Sequence, residues 1–530
     1  MFERLMRARG GKGFLLNFVL GGLAVLGHAP FYIWPLTILC FAVLLLRLDG
    51  AGFLERPKKA AFWTGFAFGL GYFLFGLYWI GSAFMARGGL YVPIMPFAVL
   101  LLCAGLAVFW GLAGLTYVRL AAAAPSSALR VILFACVFWL AEFTRGHLFG
   151  GFPWNLPGYV FPAGKPISQA AVYIGIYGLS ALVLFLAGAL ALALSAKPRK
   201  TIPALVGVAV LGGLYAAGAM RLEGAKVDYV EGVKLRIVHA NIPQKDKFIP
   251  EKYNSTVYHY LNLSMSAGFE DVTHIIWPEG AVPGFMFEDS GLMAEVDHAF
   301  RSGPRQPPVW IAQTLRRGAD EKTSKFKYYN AAAAVSFSDG AAPKFTPYYD
   351  KRKLVPFGEF MPGGSLVEKL GIRSLSTAME GMSPGKRDRV PALPNLPPVS
   401  LQICYEIIFT GFTPKTLQPS GVRPEWILNL SNDSWYGNST GPRQHVNQVR
   451  YRAIEEGLPV VRSTSGGISG VIDPYGRQLN QLNVKDDGII DAALPRPAQK
   501  TAYTHLATYQ CFIVIVLLLL LCYMRLYRAR

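Results

Sequence analysis

The chain has 530 residues, 52% of them hydrophobic and only 16% charged, with a formal net charge of +19. Soluble globular proteins carry roughly 25% charged residues, so a purely soluble protein is excluded, and the length calls for more than one structural unit. The basic excess does not indicate nucleic acid, because Lys and Arg cluster beside apolar runs, where they act as topological signals and contacts to anionic lipid.

A bilayer core needs about 20 apolar residues in a helix. Eight spans are expected, near 13–28, 31–46, 61–84, 91–116, 129–144, 168–194, 202–220 and 507–524. More spans follow the first at once, which argues against a cleaved signal peptide. Basic residues mark alternate loops: Arg4, Arg7, Arg9 and Lys12; Arg47, Arg56, Lys58 and Lys59; Arg119 and Arg130; Lys197, Arg199 and Lys200; Arg525, Arg528 and Arg530. The positive-inside rule then predicts cytoplasmic termini and an outer location for residues 222–505. The division expected is a seven-span membrane domain over 1–221, a water-soluble domain over 222–505, and a last span with its tail over 506–530. The connection 145–167, rich in Gly, Pro and aromatics, reads either as an interfacial belt or as a wall of a lipid site containing Trp154.

Within 222–505, short β-branched runs alternate with helical pattern. Strands are expected at Lys234–Ala240, His274–Trp277, Val309–Ala312, Ala331–Ser336, Val399–Cys404, Trp426–Asn429, Val460–Ser463 and Gly470–Ile472. Helices are expected at Lys252–Ser266, Leu292–Arg301 and Arg443–Glu456. Such alternation favours a layered α/β sandwich. No internal repeat or low-complexity tract is apparent. Of six cysteines, Cys40, Cys103, Cys136, Cys511 and Cys522 lie in apolar spans, which leaves Cys404 alone in the soluble body. No spacing suggests a metal site, and no cofactor is required.

Three predicted strands end in polar residues: IIWPEG with Glu279, YYDKRKLVPFGEF with Lys351 and Glu359, and LQICYEIIF with Cys404. Taken singly, each has an ordinary explanation as a cap, a solvated lysine or an inert core thiol. Together they answer a chemical need. A thiol with a pKa near 8.5 is a weak nucleophile at neutral pH until a base takes its proton or a cation stabilises the thiolate. Glu279 suits the base. Lys351 suits the cation and, with the Tyr405 N–H, an oxyanion site. Glu359 suits an anchor for Lys351.

The order Glu, Lys, Cys with these flanks resembles the nitrilase superfamily, which implies an α-β-β-α sandwich and a covalent thioester. With LSNDSWYGNSTGPRQH, GFPWNLPGY and the eight spans, the chain is most similar to that superfamily's membrane branch, the apolipoprotein N-acyltransferases. The resemblance implies a triad of Glu279, Lys351 and Cys404, supported by Glu359, Tyr405, Glu406 and Asn330. It implies a phospholipid acyl donor, a diacylglyceryl apolipoprotein acceptor, no cofactor or metal, and a monomer in the bacterial inner membrane with its catalytic domain in the periplasm. An aromatic platform is implied near position 248, where this chain carries Phe248 in place of tryptophan. Further lipid contacts are expected at Trp435, Tyr436, Arg443 and His445, each with an alternative in loop packing or helix capping. Mobile apolar lids are expected at Gly284–Met293, with Phe285 and Phe287, and at Pro362–Pro384, with Leu366, with ordinary core packing as the alternative for any single residue. A tethered amidohydrolase with water as acceptor has the same triad; a transporter would need ionisable sites at mid-membrane, whereas the spans are mostly apolar and Glu142 lies near a span end.

Overall fold

The computed structural model describes residues 9–122, 126–195, 202–303, 306–319, 326–338, 340–360, 381–386, 392–413, 422–506, 509–510 and 513–517, with the side chain of Phe248 excepted. Two compact units emerge, one formed by Met1–Ala225 with Thr501–Arg530 and the other by Lys226–Lys500.

The first unit is helical because a bilayer offers no water to backbone N–H and C=O groups, so each spanning segment must satisfy them internally. Seven helices among the described residues are long and apolar enough to cross a membrane: Gly10–Gly27, Trp34–Ala51, Pro57–Arg87, Tyr91–Ala121, Ser127–Gly150, Pro166–Leu194 and Ile202–Glu223. The eighth expected span, 507–524, lies mostly outside the described residues. Helices meet closely where glycine removes a side chain: a Cβ on Gly21 would sit 1.9 Å from the Phe68 carbonyl oxygen, and one on Gly71 equally near that of Phe18. Such small-residue contacts are how apolar helices associate without a hydrophobic driving force.

A buried ion pair stands within this unit. Arg145 Nη2 lies 2.6 Å from Glu142 Oε2. Trp110 donates to Glu142 Oε1 at 2.7 Å, and Arg145 also donates to the carbonyls of Phe152 and Trp154. The pair therefore ties the aromatic 151–160 segment to its helix and needs no further partner. Trp154, expected on a lipid-site wall, is instead 1% exposed and packs on Trp79 with ring centroids 4.8 Å apart.

The second unit is a sandwich of two sheets. One has the order β12-β1-β2-β3-β4-β5, with β6 also paired to β4; the other has the order β11-β10-β9-β8-β7. The strands are β1 (Tyr229–His239), β2 (His274–Ile276), β3 (Val309–Ala319), β4 (Phe326–Ser336), β5 (Lys344–Phe345), β6 (Tyr349–Asp350), β7 (Val399–Ile403), β8 (Trp426–Asn432), β9 (Val460–Ser465), β10 (Ser469–Ile472), β11 (Gln478–Leu482) and β12 (Gly488–Pro495). β1, β2 and β3 run parallel, as do β7, β8 and β9. The period-2 alternation of strand side chains separates two cores. Leu235, Ile237, Ile276 and Ile311 meet Leu401, Ile403, Leu428 and Val461 between the sheets. Ile275, Trp277 and Trp310 turn the other way, onto helices α1 (Tyr253–Ser264) and α2 (Ser290–Arg301). Helix α3 (Thr440–Glu456) follows β8, and its Val449, Ala453 and Ile454 are fully buried.

This layering bears on the first expected lid. In the Gly284–Met293 segment, Met286, Phe287 and Leu292 are core residues, with Phe287 edge-on to Trp310 at 5.3 Å. The structure places these three side chains on the core-packing alternative. The second expected lid, 362–384, and Leu366 with it, falls almost wholly outside the described residues.

Candidate active site

The parallel strands point their C-terminal ends the same way, and that edge gathers the polar residues. Cys404 follows β7 directly and opens a short 3-10 turn, Cys404–Ile408. Its φ is +50°, a conformation that costs a non-glycine residue of order 1–3 kcal/mol and persists where the surroundings enforce it. Glu406 does the enforcing. Its Oε2 accepts from the Ile403 N–H at 2.7 Å and the Tyr349 hydroxyl at 2.8 Å. Its Oε1 accepts from the N–H groups of Arg352 and Lys353 at 2.6 and 3.0 Å. One carboxylate thus fastens the Cys404 turn to the loop that carries Lys351.

Glu279 stands just beyond β2, 9% exposed, and Cys404 is 7% exposed. Asn330, on β4, donates from Nδ2 to Glu279 Oε1 at 2.7 Å and to Glu359 Oε1 at 2.9 Å. Lys351, buried just after β6, has its Nζ 2.9 Å from Glu359 Oε1 and 3.7 Å from Glu279 Oε1. Glu359 is itself fixed by the Val355 N–H, 2.8 Å from its Oε2. The remaining oxygen of Glu279, Oε2, is buried with no N–H or O–H donor among the described residues. The Cys404 thiol is close enough to the same carboxylate to act against the rise in its pKa.

Electrostatics sets the resting protonation. Burial, then the Glu279 charge, raises the Cys404 pKa, and Lys351 only partly offsets them. The resting sulfur is a thiol. Burial also raises the pKa of Glu279, against the pull of Lys351. Burial alone would discharge Lys351, but Glu359 and then Glu279 outweigh it and hold its pKa above the ordinary lysine value. The geometry therefore offers a fixed cation, a carboxylate with elevated basicity and a protonated sulfur.

Other expected site residues fall in different places. Tyr405 is buried, edge-on to Phe409 at 5.1 Å. Tyr436 lies near the sulfur: burial, then the Cys404 charge, lifts its phenol well above the usual value. Trp435 is half-buried on the same turn. Phe285 is at the surface edge, with Arg317 over its ring at 4.7 Å. Arg443 donates to the Ser439 carbonyl at 2.6 Å and to Asn438 at 3.0 Å, which serves the start of α3. His445, read as either a helix cap or a lipid contact, is fully buried and bonded through Nδ1 to Asp433 at 3.0 Å.

Two residues of the site were not singled out from the sequence. Gln313 on β3 accepts from the Gly280 N–H at 2.8 Å and donates to Asn330 at 2.9 Å, so it orients the amide that holds Glu279. Asp433, within SNDSWYG, is buried and pairs with Arg462 at 2.7 Å. Burial opposes its charge, but Arg462 and then His445 hold its pKa below the carboxylate range.

The sandwich is that of the carbon–nitrogen hydrolases, and a family model described as carbon-nitrogen hydrolase matches residues 240–503. A model for the apolipoprotein N-acyltransferase N-terminal domain matches residues 20–189. Curated apolipoprotein N-acyltransferases align nearly end to end. That of Rhodopseudomonas palustris is 34% identical over 98% of this chain and 96% of its own length. That of Bradyrhizobium diazoefficiens is 37% identical over 97% and 95%. That of Caulobacter vibrioides is 35% identical over 97% and 94%. The chain belongs to the apolipoprotein N-acyltransferase family.

Proposed function

We propose that this protein transfers an acyl chain from a membrane phospholipid, through a thioester on Cys404, to the α-amino group of a diacylglyceryl-modified cysteine at the N-terminus of an apolipoprotein. The observation that carries this reading is the convergence of Glu279, Lys351 and Cys404, with Glu279 Oε2 left without an N–H or O–H donor among the described residues.

In the first half-reaction Glu279 takes the thiol proton as sulfur attacks the ester carbonyl. The developing oxyanion is held by the Lys351 ammonium and the Tyr405 N–H. The C–O bond breaks, Glu279 returns the proton to the departing lysophospholipid oxygen, and the acyl group remains on sulfur. In the second half-reaction the amine attacks the thioester, Glu279 takes its proton, the C–S bond breaks and the proton goes back to Cys404. One nucleophile serves two substrates in turn, so the kinetics are ping-pong. Both substrates are lipid-anchored, and bringing acyl chains into water would cost about 0.8 kcal/mol per CH2, which accounts for the spans. With the termini in the cytoplasm, as the loop charges indicate, the catalytic unit faces the periplasm.

Intact-mass spectrometry of the purified protein after exposure to phospholipid tests this. A gain of one acyl chain, absent in Cys404→Ala and discharged by a diacylglyceryl-cysteine peptide with formation of an amide, is the expected result. Release of free fatty acid alone would instead assign a hydrolase with water as acceptor.

A further inference from the structure

A lysine outside the triad stands behind the base. Lys247, in the turn Asp246–Phe248 that follows β1, is 5% exposed, and its Nζ donates to the Gly280 carbonyl at 2.8 Å. Gly280 is the residue after Glu279. Its own N–H is held by Gln313 at 2.8 Å, so the turn is clamped from both sides. Gly280 has φ +62°, and a Cβ there would lie 2.9 Å from Asn432 Nδ2, which in turn donates to Gln244 at 3.1 Å. The turn that sets the direction of Glu279 is therefore locked between the Gln244–Phe248 segment and the end of β8.

We propose that Lys247 is a positioning residue for acyl transfer, which fixes the Glu279–Gly280 turn through the Gly280 carbonyl and sets a buried ammonium beside that turn. The proposal rests on Glu279 being the base. A neutral donor would hold the carbonyl as well; burying an ammonium instead is costly unless a nearby anion offsets it. Around Lys247 that anion is Glu279. Asp246 on the same turn is paired with Lys252 at 2.8 Å, and Glu251 on the next turn is exposed. Lys351 and Glu359 act on Glu279 in turn. Burial brings the Lys247 pKa down to about 7, with Glu279 pulling it back up. Its charge is thus present below neutrality, the range in which Glu279 must remain ionised to work.

The sign follows. Removing a cation near a carboxylate raises the carboxylate pKa, so the acid limb of the rate profile moves to higher pH. The test is the rate of acyl adduct formation on Cys404, followed by intact mass across pH, for the full-length enzyme with phosphatidylethanolamine–phosphatidylglycerol vesicles. Lys247→Met should shift the acid limb up by about one pH unit, and Lys247→Arg, which keeps a charge, should not shift it upward. A residue that merely packs would lower yield or Tm and leave the limb in place. A wild-type limb in Lys247→Met overturns the proposal. So does an upward shift in Lys247→Arg, which decides the matter should the Met variant fail to fold. Glu279→Gln separates the two claims: loss of the adduct there with an unmoved limb in Lys247→Met sinks only the role of Lys247, whereas a normal adduct in Glu279→Gln sinks the base assignment itself.

Discussion

Two buried glutamates flank the Cys404 turn, and they are wired in opposite ways. Glu406 accepts four hydrogen bonds on its two oxygens, from Ile403, Tyr349, Arg352 and Lys353. Glu279 accepts one from Asn330 on Oε1, has Lys351 at 3.7 Å, and keeps Oε2 without an N–H or O–H donor among the described residues. A carboxylate whose lone pairs are all engaged can position its neighbours but has nowhere to put a proton. One with a buried oxygen to spare carries the desolvation cost of its charge and regains part of it by taking a proton. Glu359 falls between, with three donors, one of them Lys351.

The sharpest way to break this contrast is to neutralise each carboxylate in turn. Glu279→Gln should cut thioester formation on the order of 10^3-fold, the range of general-base catalysis, with little change in Tm. Glu406→Gln should behave in the reverse order. It loses charge-assisted bonds to a turn held at positive φ, worth roughly 1.5–3 kcal/mol each, so Tm should fall by several degrees, with the activity loss following from a displaced Cys404. Thermal unfolding and intact-mass rates measured on the same preparations check both. An equal loss of Tm in the two variants would show that the wiring does not separate the roles.

Lys351 comes next. Lys351→Met removes the ammonium proposed to face the oxyanion, with an expected loss of about 10^2–10^3-fold in acylation rate. It also leaves Glu279 and Glu359 without their cation, so the pKa of Glu279 should rise and the acid limb of the rate profile should move up with it. A lower rate with an unmoved limb would mean that Lys351 serves the oxyanion without setting the base.

Much of this was legible before any coordinates. The strands at Lys234–Ala240, Val309–Ala312 and Trp426–Asn429 could be read because buried strands demand β-branched and aromatic residues on both faces. β11 and β12 were missed because QLNQL and GIIDAALP mix polar with apolar residues and lie partly exposed at the sheet margins. The thiol, the carboxylate and the lysine showed themselves by their positions at strand ends. The supporting roles of Asn330 and Glu406 came through family resemblance, because an asparagine within a strand and an acid after a cysteine look ordinary alone. Gln313 and Lys247 gave no signal at all. A glutamine in WIAQT reads as a strand edge, and a lysine in QKDKF reads as solvated, and only the folded chain shows each bonded to Gly280. Trp154, Phe287 and His445 each had a belt, packing or capping reading beside the lipid one, and all three are buried in the fold.

The finest division within the Glu279 side concerns Asn330 and Gln313. The Asn330 amide is one of the groups that lowers the Glu279 pKa, so Asn330→Ala should raise that pKa further. Because the base works unprotonated, its activity is lost as pH falls through its folded pKa, which already lies above the ordinary glutamate value of about 4.3. The acid limb should then move up by roughly one pH unit, a tenfold rate loss on that limb and less at its plateau. Gln313→Leu leaves Asn330 in place but frees its amide to rotate and leaves the Gly280 N–H unpaired. Its limb should move in the same direction by less, with a severalfold rate loss. Rate profiles of the two single variants and the double variant settle the order. If Gln313 acts only through Asn330, the double variant is no worse than Asn330→Ala; an additive loss would mean that the Gly280 N–H bond orients Glu279 by itself.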